Sequence, residues 1–138
     1  MKKALFICFS IALMAISCNT RTTPKEVINK LQKDRWEISR FLDSTNRRTF
    51  DYEDVVFKFD EMSALTIVTP SSDTFDCSYD VPEYEKNPAH LILNVPQSGI
   101  TSPLSDNWKV IYLTNDEFRL ERYDGKLHET DQLIFSKI

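Results

Sequence analysis

The chain has 138 residues, a formal net charge of −4 and 12% aromatic side chains, which suits one domain with a sizeable core. Such an acidic chain is a poor nucleic-acid binder, because that affinity comes mainly from cations that neutralise phosphates. The densest basic spot, Arg47-Arg48, lies in a predicted turn, where solvated charge is the simplest interpretation. The composition therefore argues against a second domain and against nucleic acid as a partner.

The start of the chain has the layout of a signal peptide. Lys2 and Lys3 precede an apolar run of 13 residues from Ala4 to Ile16, interrupted only by Ser10. This length suits a signal-peptide core and is shorter than the roughly 20 apolar residues of a transmembrane helix. The segment is therefore expected to direct export and then to be removed.

The apolar run ends in Ala15-Ile16-Ser17-Cys18, which resembles the lipobox of bacterial lipoprotein signals. In that family the cysteine is acylated with fatty acids such as palmitate, and the chain is cut on its N-terminal side. Two or three acyl chains make attachment to a membrane stable. The resemblance implies a signal peptide at residues 1–17, lipidation of Cys18 and a polar tether over residues 18–25.

The same resemblance implies a place in the cell envelope. Residue 19 is Asn rather than Asp and no acidic run follows the cysteine, which favours an outer-membrane lipoprotein that faces the periplasm. The alternative is an ordinary secretory peptide that is cleaved near Ser17, with Cys18 incidental.

Cleavage before Cys18 would leave 121 of the 138 residues, with 15 Lys and Arg against 21 Asp and Glu, a net charge of −6. Cys8 would leave with the signal and Cys18 would be lipidated, so Cys77 would have no disulfide partner. Cys77 lies in a predicted strand, and we interpret it as a buried, unreactive thiol.

The mature chain opens with the signals of a short helix. Thr23 and Glu26 have the spacing of a capping box, and Pro24 occupies the first helical position. Apolar residues then follow at helical spacing, at Val27, Ile28 and Leu31. These features predict one helix of about eight residues that ends near residues 33–34 and could cover the open end of a barrel.

From residue 35 onward the apolar residues alternate with the period of two that is typical of strands. Turn signals separate eight predicted strands, at residues 35–42, 52–60, 64–69, 74–80, 90–95, 108–114, 117–123 and 131–137. Consecutive short strands of this kind predict an all-β fold, an eight-stranded antiparallel up-and-down barrel over residues 26–138 with one short N-terminal helix. Closure of the barrel would also remove exposed sheet edges.

Residues 30–138 contain, in this order, a short helix, an early strand tryptophan, aromatic alternation in the second strand and a characteristic ending. The residues concerned are Trp36, Phe57, Phe59, Leu104 to Val110, Phe118 to Leu120 and Leu133 to Lys137. This order resembles that of the lipocalin-like lipoproteins of Bacteroidetes. It implies that any ligand site of this domain lies inside the barrel.

Seven aromatic residues are candidates either for a ligand site or for the core: Trp36, Phe57, Phe59, Phe75, Tyr79, Trp108 and Tyr112. An eight-stranded barrel leaves room for a packed core or for one small ligand. If all these rings point inward, they fill the interior, which favours a core over a cavity.

The loop from Pro96 to Asp106 has eleven residues, which is long for a compact β domain, and long loops are often functional. Its apolar residues Ile100 and Leu104 could either contact a protein partner or fold over the mouth of the barrel. The sequence leaves these two alternatives open.

No group of residues predicts catalysis. His90 and His128 lie 38 residues apart, which makes a zinc site improbable, and the acidic cluster at residues 51–54 lacks the spacing of a calcium loop. The two glycines, Gly99 and Gly125, form neither a nucleophile elbow nor a phosphate loop. We therefore expect no enzymatic activity, no cofactor and no bound metal.

Two functions agree with these features. The first is a membrane-anchored lipoprotein whose domain acts as an interaction or structural module in the cell envelope. The second is a carrier of a small apolar ligand inside the barrel. A filled interior would favour the first function, and an apolar cavity of about 300 Å³ or more would favour the second.

Overall fold

The computed structural model describes residues 22–44, 46–84, 88–97, 99–125 and 128–138. The predicted signal peptide, Cys18 and the first part of the predicted tether lie outside these residues. Within them the chain forms one helix and nine strands: α1 (Pro24–Leu31), β1 (Arg35–Asp43), β2 (Asn46–Arg47), β3 (Val56–Phe59), β4 (Ala64–Val68), β5 (Thr74–Asp80), β6 (His90–Asn94), β7 (Asp106–Leu113), β8 (Glu117–Asp124) and β9 (Glu129–Lys137).

Eight of these strands form a closed antiparallel barrel. Strands β1 and β3 to β9 pair in order along the chain, and β9 pairs back with β1 to close the cylinder. The ninth strand, β2, consists of two residues that pair with the end of β1. The predicted all-β, eight-stranded up-and-down barrel with one short helix is therefore confirmed, and β2 is an addition within a predicted turn.

Helix α1 begins where the sequence predicts it. The Thr23 hydroxyl accepts a hydrogen bond from the Glu26 amide at 3.3 Å, and the Glu26 carboxylate accepts one from the Thr23 amide at 3.1 Å. The bond from the Thr23 amide is the main reason that the pKa of Glu26 lies below its ordinary value. No helix in the described part of the chain is long and apolar enough to cross a membrane.

The folded domain includes residues that the sequence analysis assigned to the tether. Thr22 is buried, its hydroxyl donates to the Val110 carbonyl at 3.5 Å, and Pro24 is buried at the start of α1. Residues 22–25 are therefore part of the domain.

The barrel has two distinct ends, which the alternating strand directions define. We call the first the helix end: it carries α1 and the connections at residues 60–63, 81–89 and 114–116. We call the other the loop end: it carries the connections at residues 44–55, 69–73, 95–105 and 125–128.

Aromatic rings fill the barrel. Phe118 stacks on Phe135 with ring centroids 4.6 Å apart, and Trp36 meets Phe118 edge to face at 4.7 Å. Phe59 meets Tyr79 in the same way at 5.1 Å. These spacings are those of favourable aromatic pairs in contact, so the centre of the barrel is a packed core.

Candidate functional site

Five of the seven aromatic residues that the sequence singled out lie in the core, with at most 3% of their surface exposed: Trp36, Phe57, Phe59, Tyr79 and Trp108. Both indole N–H groups are satisfied by backbone carbonyls: Trp36 donates to Leu31 at 3.0 Å and Trp108 to Leu104 at 2.9 Å. Because these rings contact one another and their polar atoms are paired, they act as core residues here rather than as the walls of a ligand cavity.

The other two aromatic residues do not belong to the core. Phe75 shares the inward face of β5 with Tyr79 but lies at the loop end, where 36% of its surface is exposed. Tyr112 is 38% exposed, because a bulge in β7 between Val110 and Tyr112 turns its side chain outward. There the Arg119 guanidinium lies 4.8 Å above its ring. Of the seven rings, Tyr112 therefore points outward, whereas Phe75 lies on the inward face but only at the rim of the barrel.

The helix end of the barrel is closed. Val27 and Leu31 of α1 are buried in the core. Just after the helix, the Gln32 amide donates to the Tyr79 hydroxyl at 2.8 Å, and that hydroxyl donates to the Asp60 carbonyl at 3.0 Å. The helix therefore covers this opening of the barrel, as the sequence analysis suggested it could.

The loop end is closed as well. Tyr52, in a 3-10 turn at Thr49–Tyr52, is buried against Phe41, and its hydroxyl donates to the Ile100 carbonyl. Leu104 is fully buried, whereas Ile100 is 40% exposed. The loop therefore plugs the mouth of the barrel, and Leu104 is not available to contact a partner.

Tyr52 gives this closure a predictable pH dependence. Burial raises the pKa of its hydroxyl above the ordinary value, so the folded state keeps the proton while the unfolded chain loses it near pH 10. The contribution of Tyr52 to the free energy of unfolding is therefore fully present below about pH 10 and decreases as the pH rises above that value. We expect Tyr52→Phe to flatten this fall and to cost about 1 kcal/mol at neutral pH through the lost hydrogen bond.

Urea denaturation at a series of alkaline pH values measures this effect. Tyr84→Phe is the control, because it removes the same hydroxyl from a tyrosine that is 80% exposed and takes no part in closing the loop end. An alkaline slope that is the same in the two variants would contradict the assignment to Tyr52.

A polar network holds the strands together at the loop end. The Arg122 guanidinium donates to Asp131 at 2.5 and 2.8 Å, to Asp106 at 3.1 Å and to the Pro103 carbonyl at 3.1 Å. It also lies 4.5 Å above the Trp108 ring. Because its donors are already engaged within the protein, this arginine holds the loop in place rather than offering itself to a ligand.

The surface cleft around Arg122, of about 590 Å³, is negatively charged. Its charged side chains are one guanidinium and four carboxylates, a net charge of −3: Arg122, Asp43, Asp106, Asp124 and Asp131. Two of those carboxylates, Asp106 and Asp131, are bound directly by Arg122.

At the helix end, carboxylates such as Asp60, Glu61 and Glu83 balance the cations, but part of the surface there is lined mainly by cations. Two adjoining clefts, of about 230 and about 460 Å³, share Lys33 and Asp34. Their charged side chains are five cations and two carboxylates, a net charge of +3: Lys30, Lys33, Arg35, Lys58, Lys137, Asp34 and Asp116. We call these five cations the basic patch. The sequence analysis missed it, because β1, β3 and β9 bring its members together.

The residues considered for metal binding do not converge. His90 begins β6 at the helix end and contacts Asn107 at 2.8 Å, whereas His128 lies in a loop-end turn beside the Tyr123 hydroxyl at 3.1 Å. Within the described residues no group of three or more His, Cys, Asp or Glu side chains is placed to hold a metal ion. In the predicted acidic cluster, Asp51 pairs with Arg48 at 2.9 Å.

Cys77 packs partly against the core instead of being fully buried. Partial burial raises the pKa of its thiol, so the thiol form is favoured over the reactive thiolate. This agrees with its interpretation as an unreactive residue.

No protein-family model matches the chain, and no curated protein is detectably similar to it in sequence. The described residues form a filled barrel that is closed at both ends, with two clefts lined mainly by cations at the helix end and one lined mainly by carboxylates at the loop end.

Proposed function

We propose that this chain is a membrane-anchored lipoprotein of the bacterial cell envelope whose barrel is a non-catalytic interaction or structural module. The anchor is proposed from the lipobox-like Ala15-Ile16-Ser17-Cys18 at the end of the apolar run. The proposed location is the outer membrane, on the side that faces the periplasm. Kinship with lipocalin-like lipoproteins of Bacteroidetes is part of the same proposal.

The packing of the barrel is the observation that favours a module over a carrier. Rings in contact occupy its centre, α1 covers one opening, and Tyr52 with the long loop covers the other. A small apolar ligand would have to displace well-packed side chains, which costs stability. The outer surface and the two ends are then the parts of the domain that can contact other molecules.

The anchor is tested at Cys18, with Cys77 as the matched control. We expect metabolic labelling with an alkyne fatty acid to mark the full chain and the Cys77→Ser variant, and both to sediment with membranes. The Cys18→Ser variant should lose the label and its stable membrane attachment, because no acyl chain can be added. Intact mass gives the number of acyl groups.

Two results would overturn the proposal. One is a mature protein whose Cys18 is unmodified by mass. The other is fatty-acid labelling that persists in Cys18→Ser and disappears in Cys77→Ser.

A further inference from the structure

Strand β5 has an open edge at the loop end of the barrel. Along one side, β4 pairs with every residue of β5 from 74 to 78. Along the other side, β6 pairs only with residues 78–80, toward the helix end. Within the described part of the chain, the second side of residues 74–77 therefore has no strand beside it. Such an edge presents backbone groups at the spacing that another strand can pair with.

The chain that follows β6 moves away from this edge. Asn94, the last residue of β6, lies opposite Ser78. Two residues later, Pro96 has no N–H with which to continue the ladder. The loop then crosses the mouth of the barrel, because the Ile100 carbonyl accepts the hydrogen bond of Tyr52, which packs against β1.

The pairing of β1 with β3 is similarly short, but other bonds continue that seam. β1 stops pairing with β3 after Glu37. Beyond that point the Arg48 amide donates to the Phe41 carbonyl at 2.9 Å, and the Phe41 amide donates to the Thr49 hydroxyl at 3.0 Å. Among the described residues, no comparable bond reaches residues 74–77 from the side of β6. The edge of β5 is therefore open in a way that the seam of β1 is not.

The hydrogen-bond pattern shows which backbone groups point to this edge. The Thr69 amide donates to the Asp73 carbonyl at 3.0 Å, so the backbone groups of Asp73 point toward β4. In an antiparallel ladder this direction alternates, so those of Phe75 point toward β4 as well. The N–H and C=O groups of Thr74 and Asp76 therefore point away from β4, and both residues are exposed to solvent. These four groups match the backbone of one extended strand.

The side chains along the edge differ between its two faces. On the inward face, Phe75 is 36% exposed, so an apolar side chain opposite it would cover the ring. On the outward face, Asp76 forms no ion pair within the described part of the chain. In the row of residues that crosses the sheet, Asp76 lies beside Thr66, and Thr66 beside Lys58. That lysine is already paired with Asp60 at 2.7 Å.

The charge of the hairpin of β4 and β5 is entirely negative. Residues 64–80 include three carboxylates and no Lys or Arg: Asp73, Asp76 and Asp80. The loop of residues 95–105 has no charged side chain. Opposite charges on neighbouring strands stabilise their pairing and like charges destabilise it, so a basic strand is favoured at this edge. A second copy of β5 that overlaps the edge fully is disfavoured, because it would bring two Asp76 carboxylates together.

We infer that the open edge of β5 binds an extended segment of a partner protein by strand addition, with a basic side chain opposite Asp76 and an apolar one opposite Phe75. The N–H and C=O groups of Thr74 and Asp76 form the backbone hydrogen bonds, and the alternating side chains give selectivity. This inference rests on the proposed role as an interaction module and adds the kind of partner to it.

Amide hydrogen exchange, followed by NMR on the isotope-labelled, purified full-length protein in detergent, tests whether the edge is open. We expect the amides of Thr74 and Asp76 to exchange rapidly, and those of Phe75 and Cys77, which are bonded to β4, to exchange slowly. Slow exchange of all four amides in the free protein would overturn the inference, because another segment would already occupy the edge.

A seven-residue peptide of alternating lysine and valine is the probe for binding. We expect it to slow the exchange of the Thr74 and Asp76 amides. In the bound peptide the backbone groups of the lysines face β5, so N-methylation of the lysine amides should abolish binding and N-methylation of the valine amides should not. Binding that survives methylation of the lysine amides would overturn strand addition.

Two charge variants on the same strand test the choice of a basic partner. Asp76→Lys replaces attraction by repulsion and should weaken binding of the peptide about fivefold. Asp80→Lys makes the same change at an exposed position where β6 already covers the edge, and should leave binding unchanged. Equal weakening in both variants would indicate a general attraction of charge and would overturn the proposed site.

Two further outcomes separate this inference from the proposed anchor. A dimer of the chain that protects the Thr74 and Asp76 amides without peptide would overturn the choice of partner. An unmodified Cys18 would overturn the proposed anchor and would leave the peptide results unchanged.

Discussion

Replacing Phe118 with alanine is expected to lower the free energy of unfolding by about 3–5 kcal/mol. Phe118 is 1% exposed, and its ring lies 4.6 Å from Phe135, 4.7 Å from Trp36 and 6.3 Å from Phe59. Truncation removes these contacts and leaves a void that a closed barrel can only partly fill. Since domains of this size are stable by only about 5–15 kcal/mol, the loss should be plain in urea denaturation followed by tryptophan fluorescence.

Phe50→Ala is the control for this measurement. The residue type is the same, but Phe50 is 72% exposed, so its truncation should change the stability by no more than about 0.5 kcal/mol. If Phe118→Ala costs no more than Phe50→Ala, the interior is not packed as described. A ligand-holding cavity would then become the better explanation of the aromatic residues.

The features that could be predicted from the sequence are those with local signals. The capping box of Thr23 and Glu26, with Pro24 between them, fixed the start of α1 because each interaction lies within one turn of helix. The alternation of side chains around Phe57 likewise predicted that Phe57 and Phe59 of β3 face the core. The number of strands and the absence of long crossovers were then enough to predict a closed meander.

The errors arise where pairing with a neighbouring strand changes the local pattern. The register shift between Val110 and Tyr112 turns Tyr112 outward, although the alternation along β7 predicts that it points inward. A second shift, between Ile38 and Arg40 in β1, leaves Arg40 exposed and directs Phe41 into the core. A bulge depends on the register of two strands, and a single-strand pattern does not contain that information.

The loop and the charged surfaces could be predicted only in part. The length of the connection between β6 and β7 marked it as unusual. The position of Leu104, however, also depends on Arg122 of β8, which holds the neighbouring Pro103 carbonyl from outside the loop and its flanking strands. The predicted turn at Asp124-Gly125 indicated the hairpin of β8 and β9. It did not give the register, in which Asp124 pairs with Glu129 and Arg122 lies opposite Asp131.

Asp131→Ala is the second substitution from which we expect a large loss, about 3–5 kcal/mol in the free energy of unfolding. The Asp131 side chain is 3% exposed, and it accepts hydrogen bonds from the Arg122 guanidinium and from the Ser44 amide. Its removal leaves a largely buried arginine without its nearest counter-ion, and the amide without its acceptor. The measurement is again urea denaturation, together with proteolysis of the loop that Arg122 holds.

Two further variants separate a buried charge pair from an ordinary one. Glu117→Ala breaks the exposed pair with Arg119 at 2.6 Å and should cost at most about 1 kcal/mol.

Arg122→Met combined with Asp131→Leu removes both buried charges and should recover much of the stability that Asp131→Ala loses, because no unpaired charge remains. Equal losses in Asp131→Ala and Glu117→Ala would contradict the description of this pair. Recovery in the double variant would mean that the network positions the loop more than it stabilises the barrel, which is what its contacts with Pro103 and Trp108 indicate.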